Sequence, residues 1–244
     1  MRTLNVLAII ITVGLTTARA AENGGGVVVG SVRLAGRPPN IPIVYAEQDT
    51  EVCGSQARSL QSLLLGTNQT VRNAVVYLGA SFSNGKPAPK ESVPAVLDQR
   101  DCEFVPRIQI IRSGASLILR NSDPVLHVVR IDSMSSTNGP TTVLSVATPY
   151  AGFEKAYSLA GFKEPTLLRA VSGNGQKWMT AYIAVMPHPW ATLTDDDGKF
   201  TVRNVPLGSY KVYAWHEVLG TLTREIKVTN GGATLINFEF PGER

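Results

Sequence analysis

Short runs in which apolar and polar residues alternate recur along most of the chain. The alternation is clearest near the C-terminus, where Ile236, Phe238 and Phe240 alternate with Asn237 and Glu239. A period of two sends successive side chains to opposite faces of a strand, so one face is expected to be buried and the other wet. Similar runs, rich in β-branched and aromatic residues, predict strands over 27–34, 74–78, 107–111, 116–120, 127–131, 178–185, 199–202, 210–215, 223–228 and 234–240.

Helical periodicity is nearly absent from the sequence. Half-buried strands bounded by Gly, Pro, Asn or Asp are typical of antiparallel sandwiches rather than of parallel α/β sheets. The pattern therefore predicts an all-β protein. Residues 132–165 are the least regular stretch and are predicted to form long loops packed by their own aromatic rings.

The first twenty residues have the organisation of a secretory signal peptide. Arg2 precedes an apolar run over 6–13, and Ala18-Arg19-Ala20 is a small-x-small cleavage site. The apolar run is far shorter than the ~20 residues needed to span a bilayer. We expect a signal peptide over 1–20, cleavage near Ala20, a periplasmic or secreted protein, and no membrane span in the mature chain.

The charge of the chain makes a nucleic-acid partner unexpected. The formal net charge is +4, and it falls to +2 when Arg2 and Arg19 leave with the signal. No stretch concentrates Lys and Arg with interleaved aromatic residues, as nucleic-acid binding requires.

The only two cysteines are Cys53 and Cys102. In an oxidising compartment a disulfide is the ordinary use of such a pair. Two metal-bound thiolates are the weaker alternative, because neither cysteine lies in a C-x-x-C pair or near a histidine in sequence. We therefore predict a Cys53–Cys102 disulfide.

Residues 102–123 and His127 resemble the first half of a cupredoxin, with His127 at the position of the first copper-ligating histidine. The second half of a cupredoxin contains a loop with a Cys, a His and an axial Met copper ligand. Aligned on Trp178-Met179, this sequence has Met179 at the Met position, but it has Gln176 at the His position and Gly173 at the Cys position. The resemblance implies a cupredoxin-like Greek-key β-sandwich over 93–186. A blue copper centre needs a thiolate, so no cofactor is expected.

Two other interpretations of His127 stay open. It could bind Cu(I) weakly together with Met179, and with Met134 or Met186, through soft ligands. It could equally be a buried, hydrogen-bonded histidine.

Residues 194–200 and 204–210 resemble a carboxypeptidase-regulatory-like, prealbumin-type β-sandwich, with a tight turn at Asp197-Gly198 and with Phe200 entering the core. Residues 30–38 and 74–78 resemble the opening strands of the same sandwich. The resemblance implies a split domain, with 26–92 and 187–244 pairing around the cupredoxin-like unit. Together the two modules are similar to exported bacterial proteins labelled methylamine utilisation protein.

Motifs that would carry catalysis are missing or incomplete. A calcium loop beginning at Asp195 has Pro206 where a bidentate Glu is needed, and His216-Glu217 has Gly220 where a zincin needs its second histidine. The chain lacks nucleophile-elbow, P-loop and dinucleotide fingerprints. A pair of carboxylates doing glycosidase chemistry is the enzymatic alternative; we expect a protein that is not an enzyme.

Trp190, Tyr213, Trp215 and His216 group aromatic and polar side chains in the regulatory-like module. They are either core residues or, where exposed, a surface suited to sugar or peptide binding. The expected function is therefore an exported, non-catalytic binding or adaptor protein whose partner is a glycan or another protein. Carbohydrate binding and weak copper handling are the alternatives.

Overall fold

A computed structural model describes residues 25–79, 94–134, 139–230 and 232–243. The prediction of an all-β protein is confirmed, and the predicted signal peptide over 1–20 lies outside the described residues. In chain order the strands are β1 (Gly26–Ala35), β2 (Ile43–Val44), β3 (Arg58–Ser59), β4 (Val75–Gly79), β5 (Ala95–Arg100), β6 (Glu103–Val105), β7 (Ile108–Arg112), β8 (Ser116–Asn121), β9 (His127–Ser133), β10 (Thr141–Thr148), β11 (Phe153–Ser158), β12 (Thr166–Ser172), β13 (Thr180–Met186), β14 (Ala191–Leu193), β15 (Lys199–Val205), β16 (Gly208–His216), β17 (Gly220–Val228), β18 (Ala233–Leu235) and β19 (Phe238–Pro241). A short α-helix, α1, spans Thr50–Cys53, and a 3₁₀ turn spans Thr67–Gln69. No helix in the described part of the chain is long and apolar enough to cross a membrane.

Strands from the two ends of the chain share two sheets, which we call the terminal sandwich. Strand β1 pairs antiparallel with β15 and parallel with β18 and β19. The facing sheet has the order β14-β4-β16-β17. Phe238 and Phe240 are buried between the sheets, as the alternation near the C-terminus predicts, and Phe200 is buried beside them.

Strands β5–β13 pair with one another and form the central sandwich. One sheet has the order β10-β9-β12-β13-β7 and the other has the order β11-β8-β5-β6. The core between them is apolar and contains Leu97, Leu117, Leu119, Ile131, Leu168 and Ile183, all at most 1% exposed.

The prediction of long loops over 132–165 is wrong, because β10 and β11 lie in this stretch. Each strand is the last one in its sheet, where β10 pairs with β9 and β11 pairs with β8. Most of their side chains are exposed or half-buried. An edge strand with little buried surface does not need a strong apolar alternation, so its pattern is weak in the sequence.

Residues 43–60 lie between β1 and β4 in sequence, and we call them the bridging segment. They contain β2, β3 and α1, and Ala46 and Cys53 are buried in the central core. The predicted disulfide between Cys53 and Cys102 is confirmed. The bridging segment follows β1 in sequence but packs on, and is covalently attached to, the central sandwich.

The two sandwiches pack through a small apolar cluster in which Val75 meets Ile108 and Met186. A bidentate ion pair flanks it, because the Arg107 guanidinium donates to both carboxylate oxygens of Glu217 at 2.6 Å. Burial raises the pKa of Glu217, while its hydrogen bonds to Arg107 act in the opposite direction.

Candidate functional site

His127 is the first residue of β9, and the alternation that buries Val129 and Ile131 also turns its ring inward. The ring is 1% exposed, and its Nε2 lies 2.9 Å from Asp123 Oδ2. Its Nδ1 is buried and has no hydrogen-bond partner in the described part of the chain. His127 is thus a buried, hydrogen-bonded histidine with one nitrogen unused.

Asp123 holds the turn that carries the disulfide. Its Oδ1 accepts the backbone N–H of Asp101 at 2.7 Å, and its Oδ2 accepts that of Cys102 at 2.9 Å. Asp101 and Cys102 have φ of 54° and 55°, a left-handed conformation that is uncommon for residues other than glycine. The carboxylate therefore stabilises an unusual turn by satisfying both of its amides.

Cys102, Asp123 and His127 form one cluster of potential metal ligands. One candidate ligand atom from each residue lies within 4.8 Å of the other two, and all three residues are buried. Cys102 is bonded to Cys53, so the cluster contains no thiolate while the disulfide is intact.

Gly173 and Gln176, which stand at the positions expected for the copper-ligating Cys and His, cannot form a blue copper site. A Cβ atom on Gly173 would lie 2.7 Å from Val128 Cγ1, which is too close for any side chain without rearrangement. Gln176 is buried, accepts from Ser172 Oγ at 2.8 Å and donates to Asp49 Oδ2 at 2.9 Å. The residues present do not fit a blue copper centre.

The methionines suggested as soft ligands lie in different places. Met179 is 1% exposed and belongs to the central core. It precedes β13, whereas Met186 ends that strand, so the two backbones are about 20 Å apart at the usual strand rise. Met186 packs between the sandwiches, and Met134 is 41% exposed. The strand thus separates Met186 from Met179.

The aromatic residues predicted as a possible ligand surface pack against other side chains, and Tyr213 and Trp215 are half-buried. Trp190 is buried in the terminal core and donates to the Asn204 carbonyl at 2.8 Å. Tyr213 stacks on Tyr77 with ring centroids 5.2 Å apart. Trp215 meets Tyr182 edge-on at 5.0 Å in the cluster between the sandwiches.

His216 is also buried, at 1% exposure. Burial, and then the charge of Arg107, lower its pKa to about 4. Its Nδ1 accepts the backbone N–H of Val218 at 3.3 Å. The ring is therefore neutral at pH 7 and turned away from solvent.

A groove that the sequence did not single out lies where the bridging segment meets the loop before β13. It has a volume of about 260 Å³, and its lining includes Ile43, Tyr45 and Trp178. Ile43 and Tyr45 are 62% and 61% exposed, although both are large and apolar. The run Ile41-Pro42-Ile43-Val44-Tyr45 was the available signal, but an apolar run gives no indication of which of its side chains remain exposed.

No family model matches the chain, and no curated protein matches its sequence. Solved structures similar to it include a copper-containing nitrite reductase from Thermus scotoductus (14% identity, 44% of this chain, TM-score 0.30). This chain covers 26% of that enzyme. A purple cupredoxin from Nitrosopumilus maritimus (13% identity, 38% of this chain and 99% of that one, TM-score 0.30) and amicyanin from Paracoccus versutus (12%, 45% and 96%, TM-score 0.30) are further examples. These likenesses are slight, and the architecture described above rests on this chain's own strand pairing.

Proposed function

We propose that this chain is an exported, non-catalytic binding protein that docks a partner protein at the groove beside Tyr45. The observation that carries the proposal is the exposure of Ile43 and Tyr45 at the mouth of a concave surface. Aromatic residues are enriched where protein interfaces concentrate their binding energy. The signal-like N-terminus and the disulfide support export.

The groove is held in place before any partner arrives. Gln176 donates to Asp49, and the disulfide ties Cys53 to Cys102, so both walls are anchored to the central core. The Arg58 guanidinium also lies 5.6 Å from the centre of the Trp178 ring. A preorganised surface loses less conformational entropy on binding, which favours affinity.

The other chemistry on the chain supports binding rather than catalysis. Asp123 accepts three hydrogen bonds, and His127, one of its donors, is 1% exposed. The rings of Trp190 and Trp215 pack within and between the sandwiches. We therefore favour a partner protein over a glycan.

The proposal is tested by capturing envelope proteins from an exporting host on the immobilised mature protein. Tyr45→Ser is expected to abolish capture of a partner that the wild type retains, while Leu235→Ser, which changes a 70% exposed residue of β18, leaves capture unchanged. Equal capture by all three proteins contradicts the proposal. Binding on a glycan array that requires Tyr45, without any captured protein, also overturns it.

Weak Cu(I) binding is a second candidate, favoured by the buried, unpartnered Nδ1 of His127. Anaerobic Cu(I) titration of the disulfide-intact protein should then show uptake by the wild type and none by His127→Ala. Equal and negligible uptake by both proteins rules the candidate out.

A further inference from the structure

We propose that reduction of the Cys53–Cys102 disulfide converts the Cys102–Asp123–His127 cluster into a zinc site. This inference is independent of the docking groove. Its two bases are the position of Asp123 and His127 beside the disulfide sulfur of Cys102 and the unused nitrogen of the buried histidine. The proposed ligands are the two thiolates, one His127 nitrogen and one Asp123 oxygen.

The spacing of the cluster is close to what zinc requires. Ligand atoms bound at about 2.0–2.3 Å to a tetrahedral Zn²⁺ lie ~3.5 Å from one another. The three candidate atoms already lie within 4.8 Å, so they need to close in by ~1 Å. Cys53 Sγ is bonded to Cys102 Sγ in the oxidised protein and is therefore available as the fourth ligand. Two thiolates, an imidazole and a carboxylate are ligand types that Zn²⁺ takes.

The electrostatics of the reduced cluster favour a cation. Cys53, Cys102 and Asp123 are at most 5% exposed, so two thiolates beside the carboxylate would be strongly unfavourable without a positive charge. A divalent ion at their centre offsets that cost. Buried negative groups of this kind are normally paired or bound to metal.

The surroundings of His127 and Asp123 permit ligation. Nδ1 of His127 has no hydrogen-bond partner among the described residues, so the ring can carry its proton there and free Nε2 for the metal. Asp123 Oδ1 keeps the Asp101 amide while Oδ2 turns to the ion. Hydrogen bonds of this kind from neighbouring groups orient metal ligands.

Electrons and protons balance with a dithiol reductant of the thioredoxin type. The reductant gives two electrons and two protons to the disulfide, breaking the S–S bond and forming two thiols, while its own thiols form a disulfide. Zinc then binds, and the two protein thiols release two protons to solvent. A concavity of about 420 Å³ lined by Cys53 and residues 54–58 lies beside the disulfide and offers a reductant an approach.

The experiment compares zinc binding by the full mature protein before and after reduction with a phosphine under argon. Native mass spectrometry is expected to show one Zn²⁺ per reduced chain and none per oxidised chain. Co²⁺ in place of zinc should give the absorption bands of a tetrahedral thiolate site. His127→Ala should weaken zinc binding by at least about tenfold, whereas His216→Asn, at another buried histidine, should leave it unchanged.

The folded state is checked separately, because zinc binding by an unfolded dithiol would mimic the result. Circular dichroism of the Cys53→Ser/Cys102→Ser variant shows whether the fold persists without the bridge, and this variant should bind no zinc. Zinc-edge X-ray absorption of the reduced wild type should show two sulfur ligands and one imidazole. No zinc in the reduced protein, zinc held without an imidazole, or equal affinity in His127→Ala overturns the proposal.

Discussion

Asp123→Asn removes one charge and one acceptor from a carboxylate that satisfies three buried donors. In the folded protein Asp123 accepts from the amides of Asp101 and Cys102 and from His127. Asparagine has a single oxygen, so its NH₂ group must face at least one of those donors. The substitution keeps the size of the side chain, and the disulfide stays intact.

The expected loss of stability follows from the hydrogen bonds that these three donors make to Asp123. At least one charge-assisted hydrogen bond disappears, one N–H is left facing another donor, and the remaining bonds lose the charge. A net loss of about 3 kcal/mol is reasonable for a site that is 5% exposed. Asp195→Asn is the matched control. Asp195 is exposed, and its Oδ1 accepts hydrogen bonds from two backbone amides of a turn. Asp195→Asn keeps one such oxygen, so it should lower the free energy of unfolding by no more than about 0.5 kcal/mol.

Urea unfolding of the oxidised proteins measures the difference. With a slope of about 2 kcal/mol/M, a loss of 3 kcal/mol lowers the midpoint by ~1.5 M. Trp178 reports on the site, because its Nε1 donates to the Cys102 carbonyl at 2.8 Å. Amide hydrogen exchange at Cys102 should accelerate in Asp123→Asn only. Similar small losses in both variants would refute the role assigned to Asp123.

Two further substitutions test the surroundings of the sandwiches. Gly173→Cys should cost about 1–3 kcal/mol of unfolding free energy, because its Cβ would lie 2.7 Å from Val128 Cγ1. Adding Val128→Ala should recover part of the loss in the same urea assay, and an unchanged midpoint for Gly173→Cys would contradict the reasoning. Burial lowers the pKa of His216 from 6.5 to about 4 in the folded protein. As the pH falls, the unfolded chain therefore binds a proton at this histidine before the folded protein does. The free energy of unfolding should fall by on the order of 3 kcal/mol between about pH 6.5 and pH 4. Thermal unfolding of His216→Asn across that range should show a flatter pH profile than the wild type, and parallel profiles would disprove the assignment.

The alternation of side chains determined much of the fold from sequence alone. Ile236, Phe238 and Phe240 are buried as predicted. Alternation along a few neighbouring residues is enough to show which side chains share one face of a strand. Strand β1 was also predicted from its sequence, over residues 27–34. The predicted run 234–240 is divided into β18 and β19, where the Ile236 amide donates to the Val29 carbonyl. Strands β10 and β11 escaped prediction because edge strands need little buried surface.

The disulfide also followed from the sequence, since two cysteines in a chain expected to be exported leave one ordinary pairing. The absence of a thiolate for a blue copper centre was visible as well, because no cysteine follows Cys102. Neither inference depends on the three-dimensional arrangement. Composition and position along the chain were sufficient.

Only the tertiary structure decided what surrounds His127 and what remains exposed. Asp123 lies four residues from His127, but its role depends on Asp101 and Cys102, which belong to another hairpin. Gln176 reaches Asp49 across 127 positions. Such contacts depend on how the sheets and the bridging segment pack, and no local period of the sequence encodes them. For the same reason the sequence could suggest the rings of Trp190 and Trp215 as a ligand surface, whereas in the structure Trp190 is buried, Trp215 is half-buried and Tyr45 is exposed.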